Sequence, residues 1–537
     1  MYIDTGLPGY PSKMRTRSQP GTGRLAFLVA AGILLSRLVG LVRQRVFSHY
    51  FGQVSDAADA FNAAFRIPNF LQNLFGEGVL SASFIPVYAG LLAREDDEEA
   101  GHVAGAVASI LALISSVLVA AGVLATPYLI DGIAPGFSGA KRELTIRLVR
   151  ILFPGAGLLV LSAWCLGILN SHRRFFLSYT APVIWNLAMI GTLVSFGGRV
   201  GQFPLAMALA WGSVLGSALQ FAVQLPWVFR LVRRLRPSLS LRSPGVRTVL
   251  RSFVPVFISR GVVQISAYVD TLLASLLPTG AVAALSNAQL LYTLPVSLFG
   301  MSVSAAELPA MSGAVASHPD VAGDLRARLN AGLRRIAFFI VPAAMAFLAL
   351  GDVIAAALFQ TGLFRHADAI YVWGILAGST VGLLATTLGR LYSSTYYALI
   401  DTRTPLRYAL VRVALTSGLG YFCALPLPGM LGIEQRWGVA GLTASAGIAG
   451  WVEFTLLRRT LNRRIGATGL PLGFVARLWL AAGAAAAAGW AMKLVIGPRH
   501  PVLAAALILG PYAAVYFAAA ALLKIEEVRG ALARWIK

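Results

Sequence analysis

The chain has 537 residues, is 57% hydrophobic and only 12% charged, and has a mean hydropathy of +0.72. Soluble domains carry about 25% charged residues, so a water-soluble globular fold is excluded and a polytopic membrane protein is indicated. The net charge of +23 invites a nucleic-acid reading, but the basic residues are dealt out among many loops rather than gathered in one patch, and no nucleic-acid partner is expected.

Residues 1–24 are polar and basic (Lys13, Arg15, Arg17, Arg24) and form a cytoplasmic tail. The apolar run after them lacks a small-x-small cleavage site, so it reads as a retained first helix rather than a signal peptide. Fourteen apolar segments follow, at 25–47, 57–91, 101–126, 145–169, 181–197, 204–229, 250–277, 282–312, 333–350, 370–397, 406–425, 438–457, 473–495 and 500–523. Most are long enough for the roughly 30 Å hydrocarbon core. The second and eighth exceed a simple span and are expected either to continue past the bilayer or to bend at Pro68 and Pro295, where the backbone loses a donor. With the N-terminus inside, cytoplasmic segments hold 28 Lys and Arg and outer loops 7, which places both termini in the cytoplasm. The acidic run Glu95–Glu99 does not overturn this, because acids contribute little to orientation; it reads as a solvated turn with a helix N-terminal acid bias.

The second segment carries a polar stripe. Asp59, Asn62, Arg66, Asn69, Asn73 and Glu77 recur every three or four residues, on one face of an otherwise apolar helix. A charge facing lipid at mid-membrane costs about 2.5–3.5 kcal/mol even on the lenient insertion scale. The stripe therefore lines a wet cavity or pairs inside the bundle, and Asp59 with Arg66 fits either a pathway or a bridge to the first helix. Glu77, between Gly76 and Gly78, fits a gate or plain packing. Further ionisable residues lie in the first segment (Arg37, Arg43), the fourth (Arg150), the seventh (Arg260, with Gln264 and Asp270 on its face) and the tenth (Arg390). Arg outnumbers acid in this set. Its planar fork suits paired phosphate oxygens, so an anionic, phosphate-bearing cargo is expected.

An internal repeat organises the segments. Pro86 to Pro309 and Pro182 to Pro405 share an offset of 223, and the first and seventh helices start about as far apart. The offset spans six helices, so two like-oriented lobes are expected around an axis along the membrane normal. The expected division is 1–24 tail, 25–235 first lobe, 236–457 second lobe, and 458–537 two further helices with a cytoplasmic tail. The fold class is thus an all-α polytopic membrane protein of fourteen transmembrane helices, in two parallel six-helix lobes plus two C-terminal helices. Cys165 and Cys423, the only cysteines, lie in apolar runs, and no metal-ligand spacing appears among the six histidines. There is no P-loop or HExxH, so neither an enzyme nor an ATP-driven pump is indicated, and no cofactor is called for.

Several motifs carry a family resemblance. Ser36-Arg37-Leu38-Val39-Gly40 with Arg43, Ala58-Asp59-Ala60-Phe61, Ile67-Pro68-Asn69, Phe75-Gly76-Glu77-Gly78 and Phe84-Ile85-Pro86 resemble the N-terminal signature of the MurJ (MviN) lipid II flippases. Pro135-Gly136-Phe137, Gln264 with Asp270-Thr271, and Asp401-Thr402-Arg403-Thr404-Pro405 extend it. The resemblance implies the multidrug/oligosaccharidyl-lipid/polysaccharide transporter superfamily, alternating access, and an undecaprenyl-pyrophosphate-linked muropeptide as cargo. It implies residence among membrane lipids of the bacterial inner membrane, beside the cell-wall synthesis machinery, and a role in peptidoglycan biosynthesis. It also implies a cationic central cavity and a groove for the lipid tail on the two extra helices. By position, Arg37, Arg43, Asp59 and Glu77 match residues the family relies on. Together with the residues' own chemistry this gives Arg37, Arg43, Arg66, Arg260, Asn62, Asn69, Gln72 and Asn73 as expected cargo contacts, with Arg66 and Arg260 replacing arginines the family has elsewhere, and Asp59, Glu77, Gln264 and Asp270 as expected gating or positioning residues. The chain departs from the family at Gln44 (an Asp elsewhere) and at Gln72 and Leu291 (Arg elsewhere). With Glu453 as the sole acid in the eleventh and twelfth helices, no sodium site is expected. The alternatives are an exporter of another lipid-linked oligosaccharide or a drug, and a non-transporting membrane scaffold.

Overall fold

The computed structural model describes residues 22–528 except 76, 233, 242, 318, 319 and 498. The side chains of 22–31, 33, 77, 78, 81, 82, 175, 255, 256, 258–267, 309, 316 and 317 also lie outside the described set. The chain forms α1 (Thr22–Phe51), α2 (Asp56–Phe75), α3 (Glu77–Ala93), α4 (Asp97–Ile133), α5 (Gly139–Ser171), α6 (Phe175–Phe196) and α7 (Gln202–Leu231). It continues as α8 (Pro244–Ser275), α9 (Ala281–Pro295), α10 (Ser302–Ser317), α11 (Val321–Phe359), α12 (His366–Ala398), α13 (Arg403–Ala424), α14 (Pro426–Met430), α15 (Gly438–Ile465), α16 (Leu472–Ile496) and α17 (Pro501–Leu522). The protein is an all-α, multi-pass membrane protein. Among the described residues eleven helical stretches are long and apolar enough to cross a membrane, and each of the fourteen apolar segments overlaps a helix or a pair of successive helices.

The two long segments treat their prolines differently. In the eighth, α9 ends at Pro295 and a π-helical turn over Val296–Met301 leads into α10. In the second, Pro68 sits inside α2, which continues to Phe75, and α3 is described from Glu77. In α11, Pro342 has no N–H, so the Phe338 carbonyl four residues earlier loses its helical donor. Tyr516 of α17 replaces it, its hydroxyl donating to that carbonyl at 2.5 Å, while Tyr512 donates to the Pro342 carbonyl at 2.6 Å. This fastens α17 to α11, and α16 packs on both.

Neighbour relations repeat along the chain. α4–α5, α5–α7, α6–α7 and α1–α6 pack in the first half as α11–α12, α12–α15, α13–α15 and α8–α13 do in the second. Two hydrophobic cores result, one drawn almost wholly from residues before 250 and the other from residues after 270. The helix between them belongs to both. Val246 and Val249 of α8 join the first core, and the Phe253 and Phe257 rings lie tilted against Phe75 at 5.8 and 5.0 Å, whereas Leu273 and Ala274 join the second.

The acidic run also has structure. Asp96 caps α4, its carboxylate accepting from the Glu99 N–H at 3.1 Å. Glu98 faces Arg234 and Arg236 of the inter-core linker at 3.4 and 3.6 Å, and Ser243, the cap of α8, donates to Glu99. The linker backbone runs across Gly101 and Gly105 so closely that a Cβ at either would collide with the Arg234 or Arg236 carbonyl. The run is therefore a dock for the linker as well as a helix start.

Candidate functional site

The polar stripe on α2 meets the second half of the molecule, and Asp59 and Arg66 are spent on that contact. α9 begins at Gly280, whose φ of +96° suits glycine and which has no side chain to cap the helix. Asp59 supplies the cap from the other core: its carboxylate accepts from the Gly280 N–H at 2.8 Å and the Ala283 N–H at 2.9 Å. Lys141, just inside α5, reaches the same carboxylate at 2.7 Å and Asp56 at 3.3 Å, and lies over the Phe137 ring at 4.4 Å. Asp59 is 1% exposed, and a buried charge is tolerable only when fully bonded, as here by three donors.

Amides extend this seam. Gln53 donates to the Gly280 carbonyl at 3.0 Å, Asn287 to Gln53 at 2.8 Å, and Gln44 to Asn287 at 2.8 Å. Thr279 donates to Asp56 at 2.9 Å. At the end of α1, Arg45 donates to the Ala357 and Leu358 carbonyls at 2.5 and 3.1 Å, and the Leu363 N–H to the His49 carbonyl at 2.9 Å. Two turns further along α2, Arg66 donates to Thr271 and Gln289, both at 2.5 Å, and its carbonyl accepts from Tyr268 at 2.9 Å. Its guanidinium thus bridges α2, α8 and α9. Asp270 is near Arg66 and Arg412, and Arg412 is held by Glu453 at 3.1 Å.

Arg43 differs. It lies on α1 with its guanidinium carbon 5.3 Å from the Trp185 ring centroid and 5.6 Å from that of Phe65, and among the described residues donates only to the Met189 sulfur at 3.7 Å. Beside it is a cavity of about 30 Å³, lined by Arg43, Gln44, Asn62 and apolar side chains. That holds a water and is far too small for a sugar.

Of the sequence-predicted site residues, Asp59, Arg66 and Asp270 come together along the seam, and Arg43 with Asn62 beside the cavity. Arg37 is exposed on α1; Asn69 and Gln72 are half-buried and Asn73 exposed on the last turns of α2. The side chains of Glu77, Arg260 and Gln264 lie outside the described residues. Leu291, where the family has Arg, is buried in the second core. Sequence reasoning used Lys141 only as a loop charge, Gln44 only as a departure, and missed Gln53, Asn287, Gln289 and Trp185. Lys141 did carry a signal, being the sole lysine between residues 14 and 492.

Comparison with known proteins fits this arrangement. Residues 47–509 match the family model described as lipid II flippase MurJ. A lipid II flippase MurJ from Burkholderia cenocepacia is 32% identical over 447 residues, covering 82% of this chain and 84% of the relative. A probable lipid II flippase MurJ from Rhizobium tropici is 33% identical over 456 residues, covering 82% and 80%. Among solved structures, a lipid II flippase MurJ in an inward closed conformation superposes with a TM-score of 0.77 at 23% identity, over 94% of this chain and all of that one. An inward-facing MATE-family multidrug transporter does so with a TM-score of 0.65 at 20% identity, over 82% and 98%. At these identities the structural likeness is one of fold, whereas the family model spans most of the sequence: the chain belongs to the MurJ lipid II flippase family.

Proposed function

We propose that the chain moves lipid II, an undecaprenyl-pyrophosphate-linked muropeptide, from the cytoplasmic to the outer leaflet of the bacterial inner membrane by alternating access. It does so with both termini cytoplasmic and fourteen membrane spans. Residues 25–235 and 236–457 act as the two moving lobes behind a basic tail (1–24), and 458–537 contribute the two extra helices and the C-terminal tail. One observation carries the reading. The face of α2 that bears the stripe is welded to the opposite lobe at its N-terminal end, while Asn69, Gln72 and Asn73 at its C-terminal end are partly or fully exposed. A carrier closed toward the outside and accessible from the cytoplasm has that asymmetry.

Arg37, Arg43, Arg66 and Arg260 hold the diphosphate, with Asn62, Asn69, Gln72 and Asn73 on the headgroup. Arg66 is bonded to Thr271 and Gln289 while the lobes are together, and releases its fork to the cargo when they part. Asp59 works as the outer latch, and Glu77, Gln264 and Asp270 position the arginines or the inner gate. Moving one charge through 100 mV is worth about 2.3 kcal/mol, so an anionic headgroup leaving an inside-negative cell gains drive without ATP. The test is expression in cells depleted of their own flippase. Outer-leaflet lipid II is expected to return; a stably inserted protein that fails to restore it contradicts the proposal.

A further inference from the structure

We infer that Trp185 is a positioning residue for Arg43, holding its guanidinium on a ring face so that its hydrogen-bond donors stay available for an anionic headgroup. The inference rests on the reading of Arg43 as a diphosphate holder and goes beyond it by naming what aims that group. Buried or half-buried arginines are ordinarily fixed by carboxylates or carbonyls, as Arg412 is by Glu453 and Arg45 by two carbonyls. Arg43 has neither. Among the described residues its one polar contact is the Met189 sulfur, a weak acceptor. Its charge is instead satisfied by two π faces, both within the roughly 6 Å over which a ring attracts a cation, and tryptophan is the strongest such partner.

The ring pair is itself built to stay in place. Phe65 and Trp185 lie 5.6 Å apart and nearly parallel, at 15°, and Phe65 stacks on Phe61 at 5.6 Å and 22°. The Trp185 indole N–H donates to the Ser213 carbonyl and hydroxyl on α7, at 3.1 and 3.2 Å. Gly216, one turn on, leaves room for the indole; a Cβ there would sit 2.8 Å from Trp185 Cδ1. The order of support therefore runs from α7 to Trp185 on α6 to Arg43 on α1. A ring face takes up charge without occupying N–H groups, so four of the five donors remain beside the small cavity that Arg43 lines with Asn62 and Gln44.

The experiment is equilibrium binding of lipid II to the purified full-length protein in nanodiscs, with thermal unfolding followed on each variant. Trp185→Leu is expected to weaken binding about tenfold and Trp185→Phe by no more than about threefold, since phenylalanine keeps a π face. In the Arg43→Ala background Trp185→Leu should cost nothing further, because the ring acts only through that arginine. Phe65→Leu should show the same dependence on Arg43, which decides the matter should Trp185→Leu not fold. Additive losses, or wild-type binding by both ring variants beside a defective Arg43→Ala, would overturn the positioning role while leaving Arg43 in the site. Wild-type binding by Arg43→Ala would overturn the reading of Arg43 and the positioning role together.

Discussion

The two ends of α2 carry the same kinds of side chain on the same face and are in opposite circumstances. At the N-terminal end, Asp59 is 1% exposed and bonded to two backbone N–H groups and a lysine. At the C-terminal end, Asn73 is exposed, and the facing helix is α8, half of which belongs to the first core. The difference is made by the second core: where its helix α9 abuts α2, polarity becomes adhesive, and where it does not, polarity is left for something else. A polar stripe in a membrane helix is thus a permission for contact, and the facing helix decides whether protein or cargo makes it.

The contrast can be broken most forcefully at Asp59. Asp59→Asn breaks the ion pair of the buried carboxylate, leaving Lys141 only Asp56 as an anionic partner, and removes the charge that caps α9; a loss of about 3–5 kcal/mol in unfolding free energy, with loss of rescue in depleted cells, is expected. An unchanged melting profile would show that the seam is not held there. Lys141→Met should do less, because Asp59 keeps both backbone donors. A loss of about 1–3 kcal/mol in chemical denaturation is predicted. Asn73→Ala should leave stability within about 0.5 kcal/mol, as for other exposed positions, yet lower lipid II affinity measurably. A seam residue would show the reverse ranking.

The smallest effect concerns pH. His172, in the turn after α5, shares a 3.1 Å hydrogen bond with Tyr88, and burial lowers its pKa, against the partial opposition of Asp97. An unfolded histidine titrates near about 6.5. The fold favours the neutral ring, so its contribution is intact above that pH and is lost as pH falls through the lower folded value. A slight drop in melting temperature between pH 7 and pH 5, absent in His172→Gln, is the expected sign.

Much of the architecture was legible because its signals are local. Apolar runs marked the spans, the shared Pro86/Pro309 and Pro182/Pro405 offset marked the repeat, and the spacing from Asp59 to Asn73 placed one stripe on one face. What faces that stripe was not legible. Lys141 is 82 residues from Asp59, and Gly280 is 221. Periodicity says which side of a helix is polar, never which distant turn arrives to meet it. Pro68 shows the same limit: proline removes a donor anywhere, but its neighbours decide whether the helix is interrupted, and α2 continues through it. The acidic run Glu95–Glu99 read as a solvated helix start, which it is, with residues 95–98 exposed; its partners Arg234 and Arg236 were not legible, because the linker between the two cores supplies them. Arg43 was found by charge, while its aromatic support sits on another helix, hidden among ordinary apolar residues.

The central claim is that the seam at the N-terminal end of α2 parts during each transport cycle. Asp56 and Thr279 are bonded across it at 2.9 Å. With Cys165 and Cys423 replaced by alanine, Asp56→Cys and Thr279→Cys can be joined by a short thiol cross-linker and the protein assayed for lipid II flipping in proteoliposomes. Transport is predicted to stop on cross-linking and to return when a cleavable linker is cut. Undiminished transport by the cross-linked protein would contradict the account.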